Sequence, residues 1–265
     1  MIVAVTLDGF ERTTFSHDGL ERDVYRAGAG PAVVVIHEVP GMHPGVLDFA
    51  RRVVAAGFTA YLPSLFGTPD RPLSVGYMLG TIGRVCVAKE FTILATNRTS
   101  PIIDWLRALA AKAHAECGGP GVGAVGMCFT GGFALGMAVD DRMLAPVLSQ
   151  PSLPFPLGSA RAAAVGVSDV DLARFRARTD GTCVLGLRFT EDRAVPAARF
   201  ATLRRELGDR FIAVEIDSSP NNPHGIPKTA HSVLTRDFVD EPGHPTRDAL
   251  DRVLTLFRDR LLPST

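Results

Sequence analysis

The sequence has few cysteines, no excess of either charge and no long hydrophobic run. Its four cysteines are scattered over 265 residues without a Cys-x-x-Cys pair, which argues against a disulfide framework, a zinc site and a dithiol redox pair. The 28 basic and 28 acidic residues balance, so neither nucleic acid nor an anionic membrane is indicated as a partner. No apolar run reaches the roughly 18 residues that span a bilayer, and the first residues do not resemble a signal peptide. These absences predict a cytoplasmic protein.

What the sequence does contain is an alternation of apolar strands and amphipathic helices. Residues 32–39 (AVVVIHEV) form a β-branched apolar run, which is typical of a parallel strand buried on both faces. A helix ending at Gly57 and a further strand follow, so this part reads as a βαβ unit. Other strands are predicted at residues 2–8, 13–19, 20–28, 58–67, 121–128, 145–153, 182–192 and 211–219, and helices at 46–57, 80–96, 100–117, 130–141, 194–207 and 246–262. With no repeat and no linker, residues 1–265 are predicted to form a single doubly wound α/β domain, with a mostly parallel sheet and helices on both faces.

Cys128 lies where a buried strand gives way to a helix, in the stretch GMCFTGG. Gly126, Gly131 and Gly132 surround it, and a nucleophile elbow needs small residues where its strand and helix approach. A thiol at this corner points out of the carboxyl edge of the sheet, and the helix N-terminus favours the thiolate. The alternative is a buried core thiol, which is a common situation for free cysteine. The other three cysteines lack the elbow context: Cys86, Cys117 and Cys183.

A cysteine nucleophile needs a base, and the base needs a group that orients it. In α/β hydrolases the acid and then the histidine follow the nucleophile along the chain. Glu191 and Asp192 stand at the carboxyl end of a predicted strand, and a helix-capping role is the alternative for Asp192. His224 and His231 lie in the loop after the last strand, where either could be a surface residue; an apolar stretch after His231 favours an anchored ring.

The segment HEVPGMH, residues 37–43, does not fit the zinc-binding motif H-E-x-x-H. Its second histidine is six residues from the first, and Pro40 and Gly41 would break a helix between them. We therefore predict no metal and no other cofactor.

Because this segment ends a buried strand, Glu38 is expected at the same sheet edge as Cys128. There it either takes part in chemistry or is a paired or solvated carboxylate, since an isolated buried charge is costly. The loop after this strand normally supplies an oxyanion donor, and the residue after the nucleophile supplies a second. The backbone N–H groups of Val39 and Phe129 are the corresponding donors here.

Taken together, these residues resemble the dienelactone hydrolase family, the cysteine members of the α/β-hydrolase fold. The resemblance runs from about residue 30 to the C-terminus and rests on HEVPG, GMCFTGG and EDRAVP followed by AHS. It implies that Cys128 is the nucleophile and that Asp192 and His231 complete a triad. It also implies that Glu38 lies beside the thiol and helps to take its proton.

The chain departs from the family pattern at the elbow and in the substrate site. The family elbow usually reads G-x-C-x-G-G, whereas Thr130 here precedes the Gly pair, and its hydroxyl is expected to face the pocket. Members that degrade dienelactone hold the substrate carboxylate with arginines, for which Arg84 and Arg236 are candidates that match no motif.

The sequence therefore predicts a hydrolase of small esters or lactones, as a monomer or small homo-oligomer. The alternative is a protein with the same fold that binds a ligand or senses thiol modification without turnover. A thioesterase or a lipase-like esterase would differ only in substrate.

Overall fold

The computed structural model describes residues 7, 9–87 and 100–262, which form one sheet of eight strands. The strands are β1 (Glu11–His17), β2 (Leu20–Ala27), β3 (Ala32–Ile36), β4 (Thr59–Pro63), β5 (Val122–Met127), β6 (Met143–Ser149), β7 (Val184–Phe189) and β8 (Phe211–Ile216). Their order across the sheet is β1-β2-β4-β3-β5-β6-β7-β8. The β1–β2 and β2–β4 pairs are antiparallel, and every later pair is parallel. The prediction of a mostly parallel α/β sheet is thus confirmed.

Helices pack on both faces of the sheet, as predicted. They are α1 (Pro44–Ala55), α2 (Val75–Val87), α3 (Pro101–Cys117), α4 (Phe133–Met137), α5 (Ser159–Ala163), α6 (Asp169–Ala177), α7 (Ala197–Leu207) and α8 (Pro245–Leu261). Apolar side chains of α1 and α8 join one buried cluster, and those of α3, α4, α6 and α7 join the other. None of the described helices is both long and apolar enough to cross a membrane.

Strand β3 shows why the central strands are apolar throughout. Every residue of β3 is fully buried, because alternate side chains point into the two clusters on opposite faces of the sheet. Val34 and Ile36 enter the cluster beneath α3, whereas Val33 and Val35 enter the cluster beneath α1 and α8. The carboxyl ends of β3, β5, β6, β7 and β8 therefore lie along one edge of a sheet that is covered on both sides.

Three helical segments differ from the predictions, and some predicted elements lie outside the described residues. The helix predicted after the elbow, over 130–141, shortens to a 3-10 turn at Cys128–Thr130 and the single helical turn of α4. The carboxylate of Asp140 accepts the backbone N–H of Arg142, an arrangement that competes with helix continuation. Helix α5 and helix α6 were not predicted. Residues 1–6, 8 and 88–99 lie outside the described part of the chain, and with them most of the strand predicted at 2–8 and the second half of the helix predicted at 80–96.

Candidate active site

Cys128 occupies a sharp turn directly after β5, as the nucleophile-elbow interpretation requires. Its φ of +52° lies in the left-handed region, which residues with a β-carbon rarely adopt. A Cβ on Gly126 would come within 2.2 Å of the Thr130 carbonyl oxygen, and a Cβ on Gly131 within 2.4 Å of Pro151 Cα. The two glycines are therefore required by the close approach of chain segments around the thiol.

Thr130 does not direct its hydroxyl into a pocket, and this expectation was wrong. The side chain is fully buried. Its Oγ1 accepts the backbone N–H of Met127 at 3.0 Å and lies within hydrogen-bond distance of the carbonyl oxygens of Ile36 and His37, at 3.0 and 3.1 Å. The hydroxyl thus ties the elbow to the end of β3, because one side chain bonds backbone groups of both segments.

Asp192 and His231 come together across the carboxyl edge of the sheet. Nδ1 of His231 lies 2.7 Å from Oδ2 of Asp192, and Oδ1 of Asp192 accepts the N–H of Ala194 at 2.9 Å. The other two candidates from the sequence are exposed: Glu191 in the turn after β7, and His224, whose ring contacts His244. Since Asp192 occupies Nδ1, the ring of His231 offers Nε2 to other partners.

The second group that acts on the His231 ring is the thiol of Cys128, which interacts with it electrostatically. Burial lowers the pKa of His231, but the negative charges of Cys128 and Asp192 and their hydrogen bonds outweigh it, so the pKa lies well above its ordinary value. The carboxylate and the charge of the thiol thus both favour the protonated form of the imidazole.

Glu38 is almost fully buried at the end of β3, and its carboxylate has several polar partners. Burial raises its pKa, but hydrogen bonds and charge interactions, above all with His43, outweigh burial and lower the pKa below the usual range. Oε1 lies 3.0 Å from Nε2 of His43, which is also the N-cap of α1. The buried ring of His37 accepts the N–H of Leu65, and burial lowers its pKa to about 4.

The two predicted oxyanion donors follow neighbouring strands of the sheet. Ile36 of β3 pairs with Gly126 of β5, so Val39 and Phe129 each lie three residues beyond a paired position. Val39 is partly exposed, whereas Phe129 is nearly buried.

Arg84 and Arg236 are the candidate arginines for binding a substrate carboxylate, and the structure describes the side chain of Arg236. Arg236 is exposed and pairs with Asp237 at 3.3 Å. Arg84 belongs to α2, and its side chain lies outside the described part of the structure.

Sequence reasoning missed Ser152, whose hydroxyl lies 3.4 Å from the Cys128 thiol. Its backbone N–H also donates to the carbonyl oxygen of Cys128 at 3.0 Å. Ser152 is buried in the loop after β6, which lies next to β5 in the sheet. The only signal in the sequence was this neighbouring strand end, because no motif marks the serine.

Solved structures with this fold include several hydrolases. A Klebsiella pneumoniae protein assigned to the dienelactone hydrolases is 20% identical, with a TM-score of 0.60, over 94% of this chain and 97% of its own. A dienelactone hydrolase-like promiscuous phosphotriesterase from metagenomic libraries is 18% identical, with a TM-score of 0.61, over 95% and 98%. A cold-adapted esterase from an Arctic intertidal metagenomic library is 14% identical, with a TM-score of 0.58, over 95% and 94%. At these identities the structures establish a shared fold.

A sequence comparison with curated proteins finds no match. The family assignment rests instead on a sequence model of a whole family, described as the dienelactone hydrolase family, which matches residues 23–261. That range runs from β2 to the end of α8 and includes the elbow, Asp192, His231 and Glu38. The chain therefore belongs to the dienelactone hydrolase family.

Proposed function

We propose that this protein hydrolyses small esters or lactones through Cys128, His231 and Asp192. The observation that carries the proposal is the position of the His231 ring, which bonds Asp192 at 2.7 Å and interacts electrostatically with the thiol of Cys128 at the elbow. A nucleophile, a base and a group that orients the base are the parts that acyl transfer needs. Structural relatives named as an esterase and as dienelactone hydrolases support the substrate class.

In the proposed mechanism Nε2 of His231 first holds the proton of the Cys128 thiol. The thiolate attacks the carbonyl carbon, and the bond to the leaving alkoxide breaks as that oxygen takes the proton from His231. A thioester and a neutral imidazole remain. His231 then removes a proton from water as the water attacks the thioester, and the protonated ring and the thiolate are restored when the acid leaves.

The developing oxyanion would lie between the backbone N–H groups of Val39 and Phe129. The sheet order supports this assignment, because the two groups follow strands that pair directly with each other. In other enzymes, loss of one side-chain oxyanion donor costs roughly 3–4 kcal/mol of transition-state stabilisation. Small activated esters and strained lactones are the substrates that suit such a site, since their thioesters form readily.

Replacing His231 by alanine tests the proposal. His231→Ala should lower kcat/KM for p-nitrophenyl acetate about a thousandfold or more, because the thiol then lacks both its proton acceptor and the acid for the leaving group. His224→Ala is the matched control, since His224 lies in the same loop but is exposed; it should retain wild-type activity. Equal rates in all three proteins would overturn the proposal, and alkylation of Cys128 without any ester turnover would favour a thiol-sensing role.

The pH profile of kcat/KM tests the charge state of His231. The active free enzyme pairs a thiolate with a protonated ring, so kcat/KM should hold through neutral pH and fall as pH rises through the raised pKa of His231. Asp192→Asn removes one of the charges that raise this pKa, so in that variant the fall should begin at lower pH. Glu191→Gln removes the neighbouring exposed carboxylate and should leave the pH profile unchanged. If kcat/KM falls over the same pH range in Asp192→Asn as in the wild type, the fall does not report the pKa of His231.

A further inference from the structure

We infer that the hydroxyl of Ser152 donates a hydrogen bond to the sulfur of Cys128 when that sulfur is ionised, and that it thereby favours release of the acyl group from the thioester. The inference rests on the proposed function, because it assigns a further catalytic residue to the same reaction. Ser152 contacts the reacting sulfur, although it belongs neither to the elbow nor to the triad. It acts on the half of the reaction that a cysteine hydrolase must complete after the thioester has formed.

The hydroxyl of Ser152 is buried against the thiol. Ser152 is 1% exposed, and its Oγ lies 3.4 Å from Sγ of Cys128. Within the described part of the chain, this hydroxyl has no other hydrogen-bond partner. Buried polar groups are normally hydrogen bonded, and a hydroxyl can either donate or accept. Because a thiolate carries no proton, the O–H of Ser152 must be the donor and the sulfur the acceptor in the ionised form.

The surrounding backbone holds this hydroxyl beside the sulfur. Gln150 has a φ of +36°, which turns the chain out of β6 toward the elbow. The N–H of Ser152 then donates to the carbonyl oxygen of Cys128 at 3.0 Å. The carbonyl oxygen of Pro151 accepts from Nη1 of the buried Arg199 at 2.6 Å. The donor is therefore already in place when charge develops on the sulfur, which is the condition for effective electrostatic stabilisation.

The strength of the hydrogen bond from Ser152 changes during the proposed reaction. A thiolate is a charged acceptor, and charge-assisted hydrogen bonds are roughly twice as strong as neutral ones. The sulfur of a thioester is neutral, and uncharged sulfur is a weak acceptor. The bond from Ser152 therefore stabilises the free thiolate more than it stabilises the thioester. Such a difference between two states changes the rates that connect them, whereas equal stabilisation does not.

The two halves of the reaction use the sulfur in opposite directions. During acylation the electron pair of the sulfur forms the C–S bond, the alkoxide leaves with the proton of His231, and the bond from Ser152 weakens. During deacylation His231 takes a proton from water, the remaining hydroxide adds to the carbonyl carbon, and the C–S bond breaks as its electron pair returns to the sulfur. The bond from Ser152 is then regained. It therefore raises the ratio of the deacylation rate constant to the acylation rate constant, so less thioester accumulates.

Removal of the Ser152 hydroxyl tests this role. Ser152→Ala keeps the backbone N–H that bonds the carbonyl group of Cys128. Ser168→Ala is the matched control, because Ser168 is also a buried serine, but its hydroxyl accepts the N–H of Asp171 at the start of α6. For wild type and both variants, stopped-flow hydrolysis of p-nitrophenyl acetate gives the acylation rate constant from the burst and the deacylation rate constant from the steady state. A pH titration of the ultraviolet absorbance of the thiolate, with Cys128→Ala as the blank, is a second measurement that needs no turnover.

In Ser152→Ala the ratio of the deacylation to the acylation rate constant should fall about tenfold or more, as expected for loss of a hydrogen bond to a charged group. The burst then grows and KM falls, whereas kcat/KM is retained or rises, because kcat/KM reports acylation alone. Ser168→Ala should match the wild type. An unchanged ratio in Ser152→Ala would overturn the inference, and a lower kcat/KM at that unchanged ratio would show that Ser152 only packs against the elbow.

The titration of the thiolate distinguishes failure of this inference from failure of the proposed function. Acidification should remove the thiolate absorbance of Ser152→Ala at a higher pH than that of the wild type, because the variant lacks a donor to the charged sulfur. The charged groups of His231 and Asp192 are present in both proteins. Wild-type protein without ester turnover would reject the proposed function, and the titration would still decide the hydrogen bond. Loss of the absorbance at the same pH in both proteins would show that Ser152 does not donate to the thiolate.

Discussion

Replacing Cys128 by alanine is expected to lower kcat/KM for p-nitrophenyl acetate by about 10⁴-fold or more, because acyl transfer then has no nucleophile. The protein should remain folded. Alanine carries the same backbone and β-carbon, so the strain of the φ of +52° is unchanged, and the free energy of unfolding should shift by less than about 1 kcal/mol. The measurement is ester hydrolysis alongside thermal unfolding of the same preparations.

A second cysteine provides the control for this substitution. Cys183 is also a free thiol and is partly exposed, but it lies just before β7, at the opposite end of the strand from Asp192. Cys183→Ala should retain wild-type activity. Comparable turnover of the ester by wild type and Cys128→Ala would show that the thiol is not the nucleophile.

The elements that could be predicted from sequence are those with a strong local pattern. Strands β3 and β5 are continuous apolar runs, and α3 begins where expected, with Ser100 as N-cap and Pro101 at the first helical position. Helices α5 and α6 lacked such a pattern. No residue of α5 is buried, and α6 buries only Asp171 and Phe175, so neither presents an apolar face that periodicity could detect.

For the candidate site, the order of residues along the chain predicted which side chains meet at the sheet edge. It did not predict the direction in which each side chain points. The elbow glycines and the order Cys128, Asp192, His231 led to three groups that the fold does bring to one edge. Thr130 was misjudged because the orientation of its hydroxyl depends on a 3-10 turn that the sequence does not specify. Ser152 reaches the thiol from the loop after β6, so only the tertiary structure could bring the two groups together.

Outside the proposed triad, Arg199 is a residue whose loss is expected to lower the free energy of unfolding strongly. It lies in α7 with no exposed surface, and its guanidinium donates to four backbone carbonyl groups on the segment between β6 and α6. These belong to Pro151, Pro154, Arg161 and Ala164. Burial lowers the pKa of Arg199 to about 10, with the charge of Asp192 acting in the opposite direction, so the group stays protonated at neutral pH.

Arg199→Met should therefore lower the free energy of unfolding by about 3–4 kcal/mol, because methionine fills part of the volume but leaves buried carbonyl oxygens without donors. Activity should fall as well in the protein that remains folded. Pro151 precedes Ser152, which contacts the Cys128 thiol at 3.4 Å, so a loosened segment moves the wall of the site. The measurements are urea unfolding and kcat/KM well below the unfolding transition.

Arg205 provides the control that distinguishes the loss of these hydrogen bonds from a general effect of replacing arginine by methionine. It lies on the same helix, but its side chain is 67% exposed and pairs with Glu206. Arg205→Met should change the free energy of unfolding by no more than about 0.5 kcal/mol, as is usual for surface positions. Arg199→Lys should be intermediate, since an ammonium group retains the charge and up to three donors but cannot reproduce the planar arrangement of the guanidinium. Equal stability of Arg199→Met and Arg205→Met would mean that the carbonyl groups find other donors, and that this segment is held by its own packing.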